Sequence, residues 1–137
     1  MRKSKSGFNL EKFLKTKLHK AYHQSGRALV RKVNHRIDRG NEFVDFSGVI
    51  AGGRMVEFEA KQTESDAWAW SEVKAHQRRI LCDVSAMGGI AFVYLVWCGT
   101  HYIIPPERIG RGRFKPELYE DCKLPVGRSW LDLFAES

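Results

Sequence analysis

The sequence lacks any uncharged apolar stretch near the roughly 18 residues that a membrane-crossing helix requires. Its longest run, Gly88 to Gly99, has the length of a strand and stops at Thr100-His101. A membrane protein is thereby excluded. Cysteine is also scarce: Cys82, Cys98 and Cys122 are odd in number, far apart and form no C-x-x-C pair. Neither a disulfide framework nor a zinc knuckle is expected. Basic residues open the chain, but a charged amphipathic segment follows where a secretory signal would be apolar, so the expected compartment is the cytoplasm. Neither G-x-S-x-G nor G-x-x-x-x-G-K-[ST] occurs, which removes a serine nucleophile elbow and a phosphate-cradling glycine loop. Internal repeats, heptads and low-complexity tracts are absent, and no organic small-molecule cofactor is expected.

What is present is the composition of one globular domain: 137 residues, 43% apolar and 28% charged. We expect a single domain over 1–137, with a basic arm at 1–6 and a basic, Pro/Gly-containing extension at 105–137. The net charge of +7 favours a polyanionic partner, and its distribution says more. Residues 1–39 hold twelve Lys or Arg against Glu11 and Asp38, whereas residues 42–72 hold seven acids against Arg54 and Lys61. Phosphate contacts explain the first block. Acids inside a nucleic-acid-binding chain repel the ligand unless a divalent cation intervenes, so the combination points to a metal-dependent nuclease. Acids on a solvated face are the ordinary alternative.

Apolar residues Leu10, Phe13, Leu14, Leu18 and Ala21 recur at helical spacing from Phe8 to Tyr22, with Asn9 as N-cap. Ala28 to Val33 reads as a strand, and Asn34 to Asn41 as a polar connector. Phe43 to Ile50 and Arg54 to Lys61 read as an antiparallel hairpin around Ala51-Gly52-Gly53. Ser71 is positioned to cap a second helix with the stripe Val73, Gln77, Ile80, Leu81 and Val84. Ile90 to Cys98 reads as a strand covered on both faces, and Tyr102 to Ile104 as its short neighbour. A last short helix falls around Trp130 to Phe134. The order α-β-β-β-α-β predicts an α/β fold with a mixed central sheet flanked by helices.

On the strand Arg54 to Lys61, alternation places Glu57, Glu59 and Lys61 on one face and Val56, Phe58 and Ala60 on the other. A wet edge strand would explain the charges; so would a site. Asp45 falls almost opposite Glu59 across the hairpin, at roughly 5 Å for cross-strand side chains. Two such carboxylates repel unless a cation bridges them, and oxygen donors favour Mg²⁺ or Mn²⁺ over zinc. Lys61 is placed to orient an attacking water or to stabilise charge on a phosphate. Glu11, in the first helical turn, serves either the helix dipole or the site. Gln77, in an apolar stripe, needs a partner, supplied by a core hydrogen bond or by the site. His19 and His23 are four apart but lack the Glu of H-E-x-x-H, so phosphate or solvent contact is favoured. His76 neighbours Gln77; His35 and His101 carry no readable signal. The tract Arg108 to Lys115 fits a mobile nucleic-acid contact or a solvated loop, and Trp68 and Trp70 either stack on bases or anchor the core. The cations assigned to DNA are Arg2, Lys3, Lys5, Lys12, Lys15, Arg31, Lys32, Arg36 and Arg39, with Arg111 and Arg113.

Val44-Asp45-Phe46-Ser47-Gly48, Phe58-Glu59-Ala60-Lys61-Gln62-Thr63, His76-Gln77 and Gly88-Gly89-Ile90-Ala91-Phe92-Val93 resemble, in order, the blocks of the RecU-type Holliday junction resolvases, a branch of the PD-(D/E)XK nuclease superfamily. Gly7-Phe8-Asn9-Leu10-Glu11 resembles that family's opening helix. The resemblance runs from about residue 7 to 104. It implies a PD-(D/E)XK core and Mg²⁺-dependent resolution of four-way DNA junctions by paired nicks, made by a homodimer in a bacterial cell or phage-infected host. By position, it implies Asp45, Glu59 and the Ala60 carbonyl as metal ligands, Lys61 as catalytic lysine, and Glu11 and Gln77 as supporting site residues. Two departures stand out. The family's long stalk is replaced by Asn34 to Glu42, and its hydroxyl residues before the aspartate by Phe43-Val44; the short chain suggests a compact phage or prophage relative. Alternatives are another PD-(D/E)XK nuclease acting on duplex or flap DNA, and a non-catalytic architectural DNA-binding protein.

Overall fold

The computed structural model describes residues 8–23, 26–33 and 44–134. Helix α1 (Leu10–His23) precedes strands β1 (Ala28–Lys32), β2 (Phe46–Ile50) and β3 (Arg54–Thr63). Helix α2 (Ala75–Ala86), strands β4 (Ile90–Trp97) and β5 (Thr100–Ile104) and helix α3 (Trp130–Phe134) follow. The strands form one sheet in sequence order. All neighbours are antiparallel except β3 and β4, and a parallel pair needs a long crossover, which α2 provides.

Asn9 caps α1 as expected, its side chain accepting the Lys12 N–H at 2.9 Å. The β2–β3 turn closes through the Gly53 N–H on the Ile50 carbonyl, with Gly52 and Gly53 at φ +100° and +86°, where a side chain would be strained. Gly48 is needed for another reason. A Cβ there would lie 2.0 Å from the Leu29 carbonyl oxygen and 2.6 Å from Val30 Cα, both main-chain atoms of β1.

The sheet's alternation sorts its side chains into two cores. On one face Leu10 and Leu14 of α1 and Trp130 of α3 cover Phe46, Phe58, Phe92 and Tyr94. The rings of Phe46, Phe58 and Phe92 stack across three strands at 4.8 and 4.6 Å. On the other face Leu81 and Val84 of α2, with Trp68, Trp70, Phe114 and Tyr119, cover Val93, Leu95 and Tyr102. Because β4 is buried on both faces from Ile90 to Val96, its sequence is continuously apolar.

Three expectations are corrected. Ser71 does not cap α2: Trp70–Glu72 form a single 3-10 turn, closed by the Val73 N–H on the Trp70 carbonyl, and the helix starts at Ala75. Gln77 does the work at that helix start, accepting the Lys74 N–H at 3.0 Å. Strand β2 begins at Phe46, so Asp45 sits in the bend before it. The tract Arg108 to Lys115 is not a mobile arm. Phe114 is 1% exposed, the Gly112 carbonyl accepts the Trp70 N–H at 2.8 Å, and Arg108 forks onto Asp121 at 2.7 and 3.1 Å. Burial of Phe114 among Trp68, Trp70 and Tyr119 ties the segment down, and the same burial removes both tryptophans from base stacking.

Candidate active site

The β2–β3 register pairs Phe46 with Phe58, and one further step puts Asp45 opposite Glu59. Side chains and main chain then interlock. The Asp45 N–H donates to Glu59 Oε1 at 2.9 Å, and the Ala60 N–H donates to Asp45 Oδ2 at 2.8 Å. In an extended strand one residue's N–H and C=O point to the same neighbour, so the Ala60 carbonyl also faces the Asp45 side. Glu59 Oε2 accepts the Gln77 side-chain amide at 3.2 Å and stands 3.2 Å from Lys61 Nζ. Both ends of the Gln77 amide are engaged, its oxygen at the start of α2 and its nitrogen on Glu59.

Glu11 joins at one remove. Lys32 Nζ lies 3.6 Å from Asp45 Oδ1 and 3.9 Å from Glu11 Oε2, while Lys15 pairs with Glu11 at 3.3 Å. Glu57 stays apart: it is half-buried and accepts the Ser47 hydroxyl at 3.2 Å, with burial raising its pKa above the ordinary carboxylate value. Five expected site residues thus form one group: Asp45, Glu59, Ala60, Lys61 and Gln77, with Glu11 linked through Lys32. Lys12, Arg31, Arg111 and Arg113 are exposed, Arg113 donating to the Asp66 carbonyl at 3.2 Å. Arg2, Lys3, Lys5, Arg36 and Arg39, His35, the side chains of His19 and His23, and all of Asn34 to Phe43 lie outside the described residues. His101 bonds Tyr94 through Nδ1 at 2.7 Å, and burial lowers its pKa. A cavity of about 420 Å³ between α1 and the C-terminal segment is lined by Phe13, His101 and Trp130 and by none of the carboxylates.

Glu59 is 2% exposed, and burial, followed by the charge of Asp45, pushes its pKa up to about 7 against the opposing pull of Lys61. Between pH 4.5 and 7 the folded metal-free chain keeps a proton that the unfolded chain releases. Its stability should therefore fall by about 3 kcal/mol as pH rises through that window and level off above it. Urea midpoints at pH 5 and pH 8 in EDTA check this, and Glu59→Gln should remove most of the fall.

A divalent cation suits this donor set. Among the described residues no group of three or more His, Cys, Asp or Glu side chains gathers to hold a metal. Two carboxylates and a main-chain carbonyl, completed by waters and a phosphate, are nevertheless a common environment for Mg²⁺. Two carboxylates held side by side, Glu59 by the Asp45 N–H and Asp45 by the Ala60 N–H, also carry a repulsion that a cation relieves.

The family model described as Recombination protein U matches residues 5–111. The chain belongs to the Recombination protein U family. Membership places it among the RecU-type Holliday junction resolvase endonucleases. The fold is also that of Archaeoglobus fulgidus Hjc, a Holliday junction resolvase from an archaeal hyperthermophile. The two chains are 17% identical, with a TM-score of 0.56 over 85% of this chain and 88% of that one. No curated protein sequence matches the chain.

Two residues of this Recombination protein U relative have a place beside the site that the sequence reading does not give them. Gln62 accepts the Leu10 N–H at 2.9 Å and donates to the Phe8 carbonyl at 2.7 Å, fastening the start of α1, and so Glu11, to β3. Its signal was its place directly after Lys61. Lys32, read only as a DNA contact, turns toward the carboxylates; its alternation with Ala28 and Val30, on the face covered by α1, was the available clue.

Proposed function

We propose that the chain is a divalent-cation-dependent endodeoxyribonuclease that resolves four-way DNA junctions by paired nicks, acting as a homodimer with Mg²⁺ as its ion and Mn²⁺ as a substitute. The observation that carries this is the buried Glu59 carboxylate, joined to Asp45 through the main chain and to Lys61 at 3.2 Å. Asp45, Glu59 and the Ala60 carbonyl would hold the cation, which when bound supplies Lewis acidity and lowers the pKa of water. Lys61, held by Glu59 and partly open to solvent, presents an ammonium to the scissile phosphate. It would offset charge on the phosphoryl oxygens or orient the attacking water. Gln77 fixes the Glu59 rotamer from α2, and Glu11 holds Lys32 from α1. A two-fold axis would give two identical sites for two symmetry-related strands. Exposed Lys12 and Arg31 in the basic first segment, with Arg111 and Arg113, would track the backbones, making affinity strongly salt-dependent.

The test uses end-labelled four-way junctions beside linear duplex and flap DNA, each in Mg²⁺ and in EDTA. Symmetric, Mg²⁺-dependent nicks confined to junctions are expected. Equal cutting of duplex would leave a nuclease without junction selectivity, and binding with no cleavage in Mg²⁺ or Mn²⁺ would favour an architectural protein.

A further inference from the structure

The cavity of about 420 Å³ between α1 and the C-terminal segment has no part in the chemistry described above. Tyr94 on its wall pairs with Ala60 across β3 and β4, so the cavity opens on the sheet face turned away from the Glu59 carboxylate. Its volume falls within the roughly 300–1,000 Å³ of small-molecule sites. The walls are aromatic. Phe13 comes from α1, Tyr94 from β4, His101 from β5 and Trp130 from α3, so four elements converge on one space. The rings of Phe13 and Tyr94 meet His101 edge-on at 5.7 and 5.6 Å, and Tyr94 and Trp130 belong to the buried core. Close packing fixes these walls before any ligand arrives. The Tyr94 hydroxyl bonds His101 Nδ1 at 2.7 Å, and among the described residues Nε2 has no hydrogen-bond partner. The ring therefore offers either an N–H or a lone pair, as its tautomer sets.

The rim is cationic. Lys17 is exposed, its ammonium 5.5 Å from the Phe13 ring centre, and among the described residues it forms no ion pair. Arg128, also exposed, stands 3.7 Å from Asp132, whose oxygens already accept the Arg27 guanidinium and the Ser129 N–H. Its guanidinium is loosely held. No acid lines the cavity among the described residues. An aromatic interior beneath two cations matches a planar ring that carries an anion, and a nucleotide has both. A purely apolar ligand would leave the cations unused.

Resting on the nuclease reading above, we propose that this cavity binds one unstacked nucleotide of the junction DNA, its base among Phe13, His101 and Trp130 and its phosphate at Lys17 and Arg128. Helix α1 links the cavity to the site. Six residues separate Glu11 from Lys17, about 9 Å along the helix axis, which a stacked strand covers in about three nucleotides at roughly 3.4 Å each. Base pairing is already disturbed where four duplexes exchange strands, so extruding a base costs least there. The cavity thereby favours branched over linear DNA.

The experiment is photocrosslinking of the full chain in EDTA with 5-iodouracil as the base, the attached residues being mapped by mass spectrometry. The probe is placed at each position flanking the exchange point of a four-way junction, in linear duplex of the same sequence, and in free 5-iodo-2′-deoxyuridine 5′-monophosphate. Junction probes should attach to Phe13, Tyr94, His101 or Trp130 in a yield about five-fold above that of the duplex. Lys17→Ala combined with Arg128→Ala should lower that yield about five-fold and leave crosslinks elsewhere unchanged, and Phe13→Leu should do the same. Both cations are exposed, so the double variant does not put the fold at stake. Crosslinks confined to residues outside the cavity, or a cavity yield untouched by the double variant, would overturn the inference. Attachment of the free monophosphate alone, by a chain that binds junctions in a gel shift, would overturn the assignment to DNA and make the cavity a site for free nucleotide. A chain that shifts no DNA overturns the nuclease reading itself, and the inference with it.

Discussion

Glu59→Gln should lower the single-turnover rate of junction cleavage by on the order of 10³-fold while leaving junction affinity within about two-fold. The substitution keeps the shape of the side chain, so Asp45 and Gln77 retain a neighbour of the same size. It removes the negative charge that Lys61 faces at 3.2 Å and that a cation would need. Binding should survive because Glu59 is 2% exposed and cannot reach a DNA backbone, while the exposed cations on other elements are untouched. Gel-shift titration and labelled-junction cleavage, run on the same preparation, check the two halves separately. Cleavage retained within ten-fold would remove Glu59 from the site.

Phe58→Ala should destabilise the fold by about 3–5 kcal/mol. Phe58 has no exposed surface, stacks between Phe46 and Phe92 at 4.8 and 4.6 Å and packs against Trp130 at 5.3 Å. Truncation opens a hole bounded by two neighbouring strands and a helix, and their main-chain ladders prevent collapse around it. For a chain of this size the loss corresponds to a fall of about 10–20 °C in Tm. Thermal and urea denaturation measure it, with Leu118→Ala, 60% exposed, as a control expected to stay within about 0.5 kcal/mol. Because Phe58 and Glu59 are adjacent on β3 and face opposite sides, the two variants separate stability from chemistry. Phe58→Ala should recover cleavage at low temperature, and Glu59→Gln should not.

Much of the fold was legible because period-2 and period-3.6 patterns report burial directly. The stripe of α1, the alternation of β3 and the continuous apolar run of β4 each arise from the surface that the element covers. The pairing of Asp45 with Glu59 followed from the turn glycines alone, since a short loop determines the register of both flanking strands. The start of α2 did not follow, because Ser71 has the chemistry of a cap yet lies beside Trp70, whose ring belongs to the aromatic core. There tertiary burial outweighed the local cap preference. The ordering of the Arg108 to Lys115 tract did not follow for the same reason: Phe114 enters the core and ties the segment down, while Arg111, Arg113 and Lys115 stay exposed.

Sequence pattern therefore accounts for the local chemistry: which residues alternate toward a core, where the chain turns, and which acids and lysine meet across one hairpin. These depend on neighbours within a few residues or across one short turn. Packing between distant elements sets how Gln62 pins α1 to β3, how Gln77 from α2 reaches Glu59, and how Lys32 on the edge strand comes between Glu11 and Asp45. Those contacts join elements brought together by packing the two faces of the sheet, and sequence periodicity carries no information about how far one element slides against another.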